Sequence, residues 1–141
     1  MTGPPEPSPT FYIDEFIYSS ALVSELTANG IPFDRVGATV PFGASDDAWL
    51  AHCGKHGYLA LTRDQRIRYR PIEKQALIDH AVGCFTFTGG QATAAQCTAR
   101  IVELAPKMRS IAATQKRPFL YTFGLSTELS KVTLRSRDGV P

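Results

Sequence analysis

The sequence predicts an α/β domain built on a central, mainly parallel sheet, and three observations carry that reading. Short apolar blocks rich in aromatic and β-branched residues alternate with segments of helical periodicity. Several of these blocks are continuous, as strands covered on both faces are. Caps and turn residues separate the segments at short intervals. The chain has 141 residues, of which 43% are hydrophobic and 20% charged, enough for one domain and its core. The composition excludes global disorder, a collagen-like repeat and a disulfide scaffold. No apolar run approaches the ~20 residues of a membrane span.

In order, residues 1–10 read as a disordered, proline-rich lead that lacks the apolar stretch of a secretory signal. Residues 11–135 read as the single domain and 136–141 as a flexible tail. Phe11-Tyr12-Ile13 forms a buried strand halted at Asp14-Glu15. A helix follows over 18–29, with Leu22, Val23 and Leu26 at near-helical spacing and Gly30 terminating it. Phe33–Val36 is a weaker strand. Ser45-Asp46-Asp47 opens the next helix with a capping hydroxyl or carboxylate and first-turn acids, and Gly57 closes it. Tyr58–Thr62 is a further buried strand ending near Asp64. Pro71 starts a helix to about Ala81, and Gly83–Thr88 is a strand stopped by Gly89-Gly90. Thr93-Ala94-Ala95-Gln96 matches a capping box opening a long helix that Pro106 is expected to kink. Phe119–Phe123 and Lys131–Leu134 close the sheet as two strands joined by a turn.

Charge is unevenly divided. Residues 1–50 hold Glu6, Asp14, Glu15, Glu25, Asp34, Asp46 and Asp47 against one base, Arg35, while the overall net charge is +2. The remainder is strongly basic, which suits an acidic pocket beside a surface for a phosphate-rich substrate. Cys53, Cys84 and Cys97 form no metal-type pair and read as reduced thiols in a cytoplasmic protein.

In parallel sheets, ligands gather at the carboxyl ends of the strands. Asp14 and Asp64 fall at two such ends, and Asp46 and Asp47 open the helix between them. Clustered carboxylates repel one another unless a cation neutralises them, and Mg²⁺ or Mn²⁺ prefers such oxygen ligands. Taken singly, each acid has a plainer reading as a cap or turn residue. Around Asp64 lie Arg63, Arg66, Arg68, Arg70 and Lys74, with Tyr58 and Tyr69 nearby. In an extended segment Arg66, Arg68 and Arg70 would point the same way and suit phosphates. Otherwise they form a solvated basic loop. A second set, Lys107, Arg109, Lys116, Arg117, Arg135 and Arg137, is diffuse.

Three segments carry a family resemblance: Phe11-Tyr12-Ile13-Asp14-Glu15, Ala44-Ser45-Asp46-Asp47-Ala48-Trp49-Leu50, and Leu59-Ala60-Leu61-Thr62-Arg63-Asp64. In this order, over about residues 11–90, the chain resembles PIN-like nucleases of the kind found as VapC-type toxins in bacterial toxin–antitoxin pairs. The resemblance implies a three-layer α/β/α fold and a metal-dependent endoribonuclease. It implies Asp14, Asp46 and Asp64 as catalytic, metal-binding acids, Asp47 as a further ligand, and Glu15 and Thr62 in support. Its expected cofactor is Mg²⁺ or Mn²⁺; its expected partners are RNA, bound by Arg63, Arg66, Arg68, Arg70 and Lys74, a cognate antitoxin and a second copy in a homodimer. Many relatives carry an acid two residues after the third aspartate, where this chain has Arg66. Asp79 is a poor substitute because it falls on a helix.

Two rivals stand beside this reading. One is a PIN-like interaction module without catalysis, compatible with Arg66. The other is a phosphoacceptor receiver domain, with Asp14-Glu15, Asp64, Thr88 and Lys116 as its set. Against the receiver, residues 111–115 before Lys116 continue a helical pattern where a strand is required. His52 and His56 have zinc-chelating spacing but no further ligand pair, so they read as part of a helical stripe. His80 reads as structural or solvent-facing, Cys84 as core, and Gly89-Gly90 as a turn.

Overall fold

The computed structural model describes residues 9–38 and 40–134. The leader before Pro9 and the tail from Arg135 on, with the basic residues Arg135 and Arg137, lie outside the described residues. Eleven elements occur among those described. They are β1 (Phe11–Ile13), α1 (Ser20–Ala28), β2 (Phe33–Arg35), α2 (Asp46–His56), β3 (Leu59–Thr62) and α3 (Arg66–Tyr69), followed by α4 (Pro71–Asp79), β4 (Gly83–Phe87), α5 (Ala94–Thr114), β5 (Phe119–Phe123) and β6 (Ser130–Val132). The strands form one sheet in the order β2-β1-β3-β4-β5-β6, parallel throughout except for antiparallel β6. The α/β/α architecture is as the sequence predicts.

Alternation along the strands builds the layers. Phe11, Ile13, Leu59, Leu61, Phe85, Phe87, Phe119, Tyr121 and Phe123 pack with Leu22 and Leu26 of α1 and Ile101, Leu104, Ala105 and Met108 of α5. The intervening residues Tyr12, Ala60, Cys84 and Leu120 face the opposite way, against Trp49, Leu50 and Cys53 of α2, Ile67 of α3 and Ala76 and Leu77 of α4. All three cysteines are free and buried. Gly54 permits α2 to approach the end of α4: a Cβ there would collide with the His80 carbonyl oxygen.

The helix signals act largely as read. Ser45 Oγ accepts from Ala48 N at 3.1 Å, so the cap of α2 is the hydroxyl and both acids lie inside the first turn. Gly57 ends α2 at φ 70°. The Thr93–Gln96 capping box is present, with reciprocal bonds of 2.9 and 3.1 Å. Helix α5 is one unbroken element through Pro106. One expectation is corrected. Residues 66–69 form a helical turn, so Arg66, Arg68 and Arg70 do not line one side of an extended segment. Among the described residues no helix is long and apolar enough to cross a membrane.

The chain leaves β1 toward β2 on one side, and β3 and β4 continue on the other. The carboxyl ends of β1 and β3 therefore border a topological switch point, where such sheets open a crevice.

Candidate active site

Asp14 follows β1 and Asp64 lies two residues beyond β3. Thr62 joins them: its hydroxyl donates to Asp14 Oδ2 at 2.7 Å and accepts from Asp64 N at 3.0 Å. Asp14 Oδ1 also accepts from Phe16 N at 3.1 Å. These bonds favour the carboxylate, but burial outweighs them, and the Asp14 pKa is pushed up to about 7. Asp14 is 2% exposed and forms no ion pair among the described residues.

Asp64 has the opposite environment. Burial acts against its charge, but Arg66 prevails and holds its pKa below the usual carboxylate range. The guanidinium grips both carboxylate oxygens, with Nε at 2.9 Å from Oδ1 and 3.2 Å from Oδ2, and Nη2 at 2.7 Å from Oδ2. Arg66 N adds a bond to Oδ1 at 3.1 Å. The same guanidinium lies 5.3 Å from the ring centroid of Phe16. Arginine is suited to this bidentate geometry.

Asp46 and Glu15 share a small pocket with Asp14, walled by Tyr12, Phe16, Val36 and Trp49. Asp46 Oδ1 accepts from Trp49 Nε1 at 3.1 Å, and Glu15 Oε1 accepts from Gly43 N at 2.8 Å. Asp47 is directed elsewhere: it pairs with His80 Nε2 at 2.9 Å and its side chain is largely exposed. That pairing accounts for His80. Asp79 bonds to Gln75 and lines a separate groove of about 420 Å³ between α2 and α4, together with Asp46, Asp47, Ile72 and Glu73. It does not replace the acid that Arg66 displaces.

The basic residues divide similarly. Arg63 donates to the Gly89 and Ala92 carbonyls at 2.9 and 2.7 Å and lies over the Phe87 ring, so its guanidinium holds the turn after β4. Arg68 lies over the exposed Tyr69 ring, and Arg70 is 3.8 Å from Glu73. Lys74 is half-buried on α4. In the diffuse second set, Lys107 faces Glu128 and Arg117 donates to the Gly57 carbonyl. His52 contacts Asp34 at 2.9 Å and His56 stacks on Tyr58, a structural arrangement. Lys116 lies before β5, away from the strand end where a receiver would need it.

For a divalent ion, the all-oxygen donors have the right chemistry, but their placement does not fit one. Among the described residues no three His, Cys, Asp or Glu side chains group closely enough to hold a metal, and Arg66 engages both oxygens of Asp64. Sequence reasoning missed two participants. From the sequence Arg66 reads as a phosphate ligand rather than the partner of Asp64, although its spacing of two from an aspartate permits a turn-closing bond. Glu73 carries no signal: it reads as an ordinary first-turn acid, yet it is buried, with Oε2 lacking a hydrogen-bond partner among the described residues.

No curated protein and no solved structure matches the chain significantly. A family model described as a PIN like domain matches residues 9–89, more than half of the chain and the whole span from before Asp14 to beyond Asp64. The chain belongs to the family of PIN-like domains.

Proposed function

We propose that this protein is a divalent-metal-dependent endoribonuclease, of the type that serves as the toxin of a bacterial toxin–antitoxin pair. One observation carries the reading: two acids at adjacent strand ends of a switch point, bridged by Thr62, with Asp46 and Glu15 beside the first. The reaction hydrolyses an RNA phosphodiester: water adds at phosphorus and a ribose oxygen leaves. Mg²⁺ or Mn²⁺ is the cofactor proposed from the family resemblance; as placed here, the described acids form no three-ligand set for it.

Within this reading Asp14 is the central acid, held in orientation by Thr62 and Phe16 N. Asp46 reaches the same pocket from the start of α2. Asp64 can join them only when Arg66 releases it. Exposed Arg70, with Arg68 and the Tyr69 ring, offers cation and stacking surface to a single strand, and Arg66 adds to this once freed. An antitoxin and a second copy are partners proposed from the family resemblance.

The second reading, a PIN-like module that binds without cutting, is favoured by the Arg66–Asp64 pair. Purified protein incubated with structured and single-stranded RNAs in Mg²⁺, Mn²⁺ or EDTA separates the two. Cuts that require metal and vanish in Asp14→Asn and Asp64→Asn establish the nuclease. Intact RNA under every metal, with folded protein free of inhibitor, establishes the module.

A further inference from the structure

We propose that Phe16 and Phe42 are base-stacking platforms at the rim of the Asp14 pocket, so that the site takes RNA whose bases are unpaired. The choice of RNA rests on the nuclease reading, but the stacking itself is measurable without cleavage and without metal.

Both rings stand outside the core. Phe16 is 50% exposed and Phe42 56%, whereas the phenylalanines of the sheet are buried, apart from Phe33 on its edge. Phe16 lines the Asp14 pocket, and Phe42 belongs to the loop whose Pro41 and Ala44 also line it. Glu15 pins the two segments together. Its Oε1 accepts from Gly43 N at 2.8 Å, which ties the residue before one ring to the residue after the other. Single exposed apolar residues are ordinary, but two aromatics on bonded segments at the mouth of one acidic pocket mark a binding rim.

Each ring is also held in orientation. The Arg66 guanidinium, fixed on Asp64, lies 5.3 Å from the Phe16 centroid. The Phe42 ring meets Tyr18 edge to face, with centroids 5.8 Å apart at 82°, and Arg35 lies 5.4 Å from the Tyr18 centroid. Gly37 leaves room for this arrangement, since a Cβ there would collide with the Phe42 ring. Helix α3 repeats the pairing of ring and cation, with Arg68 over exposed Tyr69 and Arg70 exposed beside it. Pre-oriented rings interleaved with arginines suit a single strand: any base offers a π-face to the ring, and the cations meet the phosphates. In a duplex the bases keep those faces against one another, so only an unpaired strand presents them.

Fluorescence anisotropy in EDTA on wild type, Phe16→Ala, Phe42→Ala and Phe16→Tyr tests this, with circular dichroism checking the fold. The probes are a labelled single-stranded RNA, the same RNA in a duplex, and an abasic strand of equal length. Wild type should bind the single strand more tightly than the duplex. Each alanine variant should bind the single strand about tenfold more weakly. Phe16→Tyr, which keeps a ring, should bind as wild type does, and the abasic strand should not distinguish the four proteins. Unchanged single-strand binding by both folded alanine variants overturns the platforms, as does an equal loss on the abasic strand. Wild type that binds single strand and duplex alike, or neither, overturns them too. Alanine variants that change the oligomeric state in light scattering but bind RNA as wild type does make the rim a protein contact and overturn the proposal. Weaker binding by the alanine variants, with no cleavage by wild type in Mn²⁺, supports the platforms and removes the nuclease. Cleavage with equal affinities keeps the nuclease and overturns the platforms.

Discussion

The two faces of the sheet differ in kind. Toward α1 and α5, successive inward residues are large and apolar, and Arg63 there is occupied with backbone carbonyls and the Phe87 ring. Toward α2 and α4, the same strands present Tyr12 then Asp14, Ala60 then Thr62 then Asp64, Cys84 then Thr86. Smaller and more polar residues line that side, and buried titratable groups collect there. The first face pays for folding; the second keeps groups that folding alone would not select, which is where chemistry is expected.

Substitutions separate the faces by the size and the pH dependence of their effects. The largest belongs to the apolar side: Phe85→Ala, at a fully buried position, should cost about 3–5 kcal/mol in urea unfolding at any pH. An equal cost at the Asp14 side, without pH dependence, would erase the distinction.

Next comes Asp14, whose effect should have the opposite sign. Its folded pKa of about 7 lies above the usual 3.8, so the folded state binds the extra proton between these values. Stability from this group is full below about pH 4 and falls as the pH rises through 7. In metal-free buffer at pH 8, Asp14→Asn should therefore be more stable than wild type by about 2–4 kcal/mol, with the gap closing toward pH 4. Denaturant titrations at both pH values measure it.

Smaller still is Thr62→Val, which removes a donor to Asp14 and an acceptor for Asp64 N. It should cost about 1–3 kcal/mol. Losing the donor should also move the Asp14 titration upward from about 7, observable by carboxyl ¹³C NMR. The smallest is Thr93→Ala at the capping box of α5, about 1 kcal/mol with no change in any titration, read from the urea midpoint.

Much of this organisation is legible in the sequence, because the signals are local. Phe11-Tyr12-Ile13 is a buried strand by composition, Ser45 and Thr93 declare the helix starts by their hydroxyls, and Gly57 supplies the left-handed cap. Asp14 and Asp64 are placed by the strands they follow. What eludes the sequence depends on short or tertiary structure. Four residues of helix, Arg66–Tyr69, are too few to show a period, so alternating arginines read as extended chain, although Asp64 accepts from Arg66 N and closes the turn. The pairing of Asp47 with His80, 33 positions away, and the burial of Glu73 arise only when α2 packs on α4. No spacing rule reports them.

The most direct test of the central claim, that Asp14 is kept for chemistry at the expense of stability, is to measure RNA cleavage in Mn²⁺ and thermal unfolding in EDTA on the same preparation of Asp14→Asn at pH 8. A variant that melts higher than wild type and no longer cuts RNA is the predicted result. A variant that melts lower while cutting as wild type does would make Asp14 a structural acid and contradict the claim.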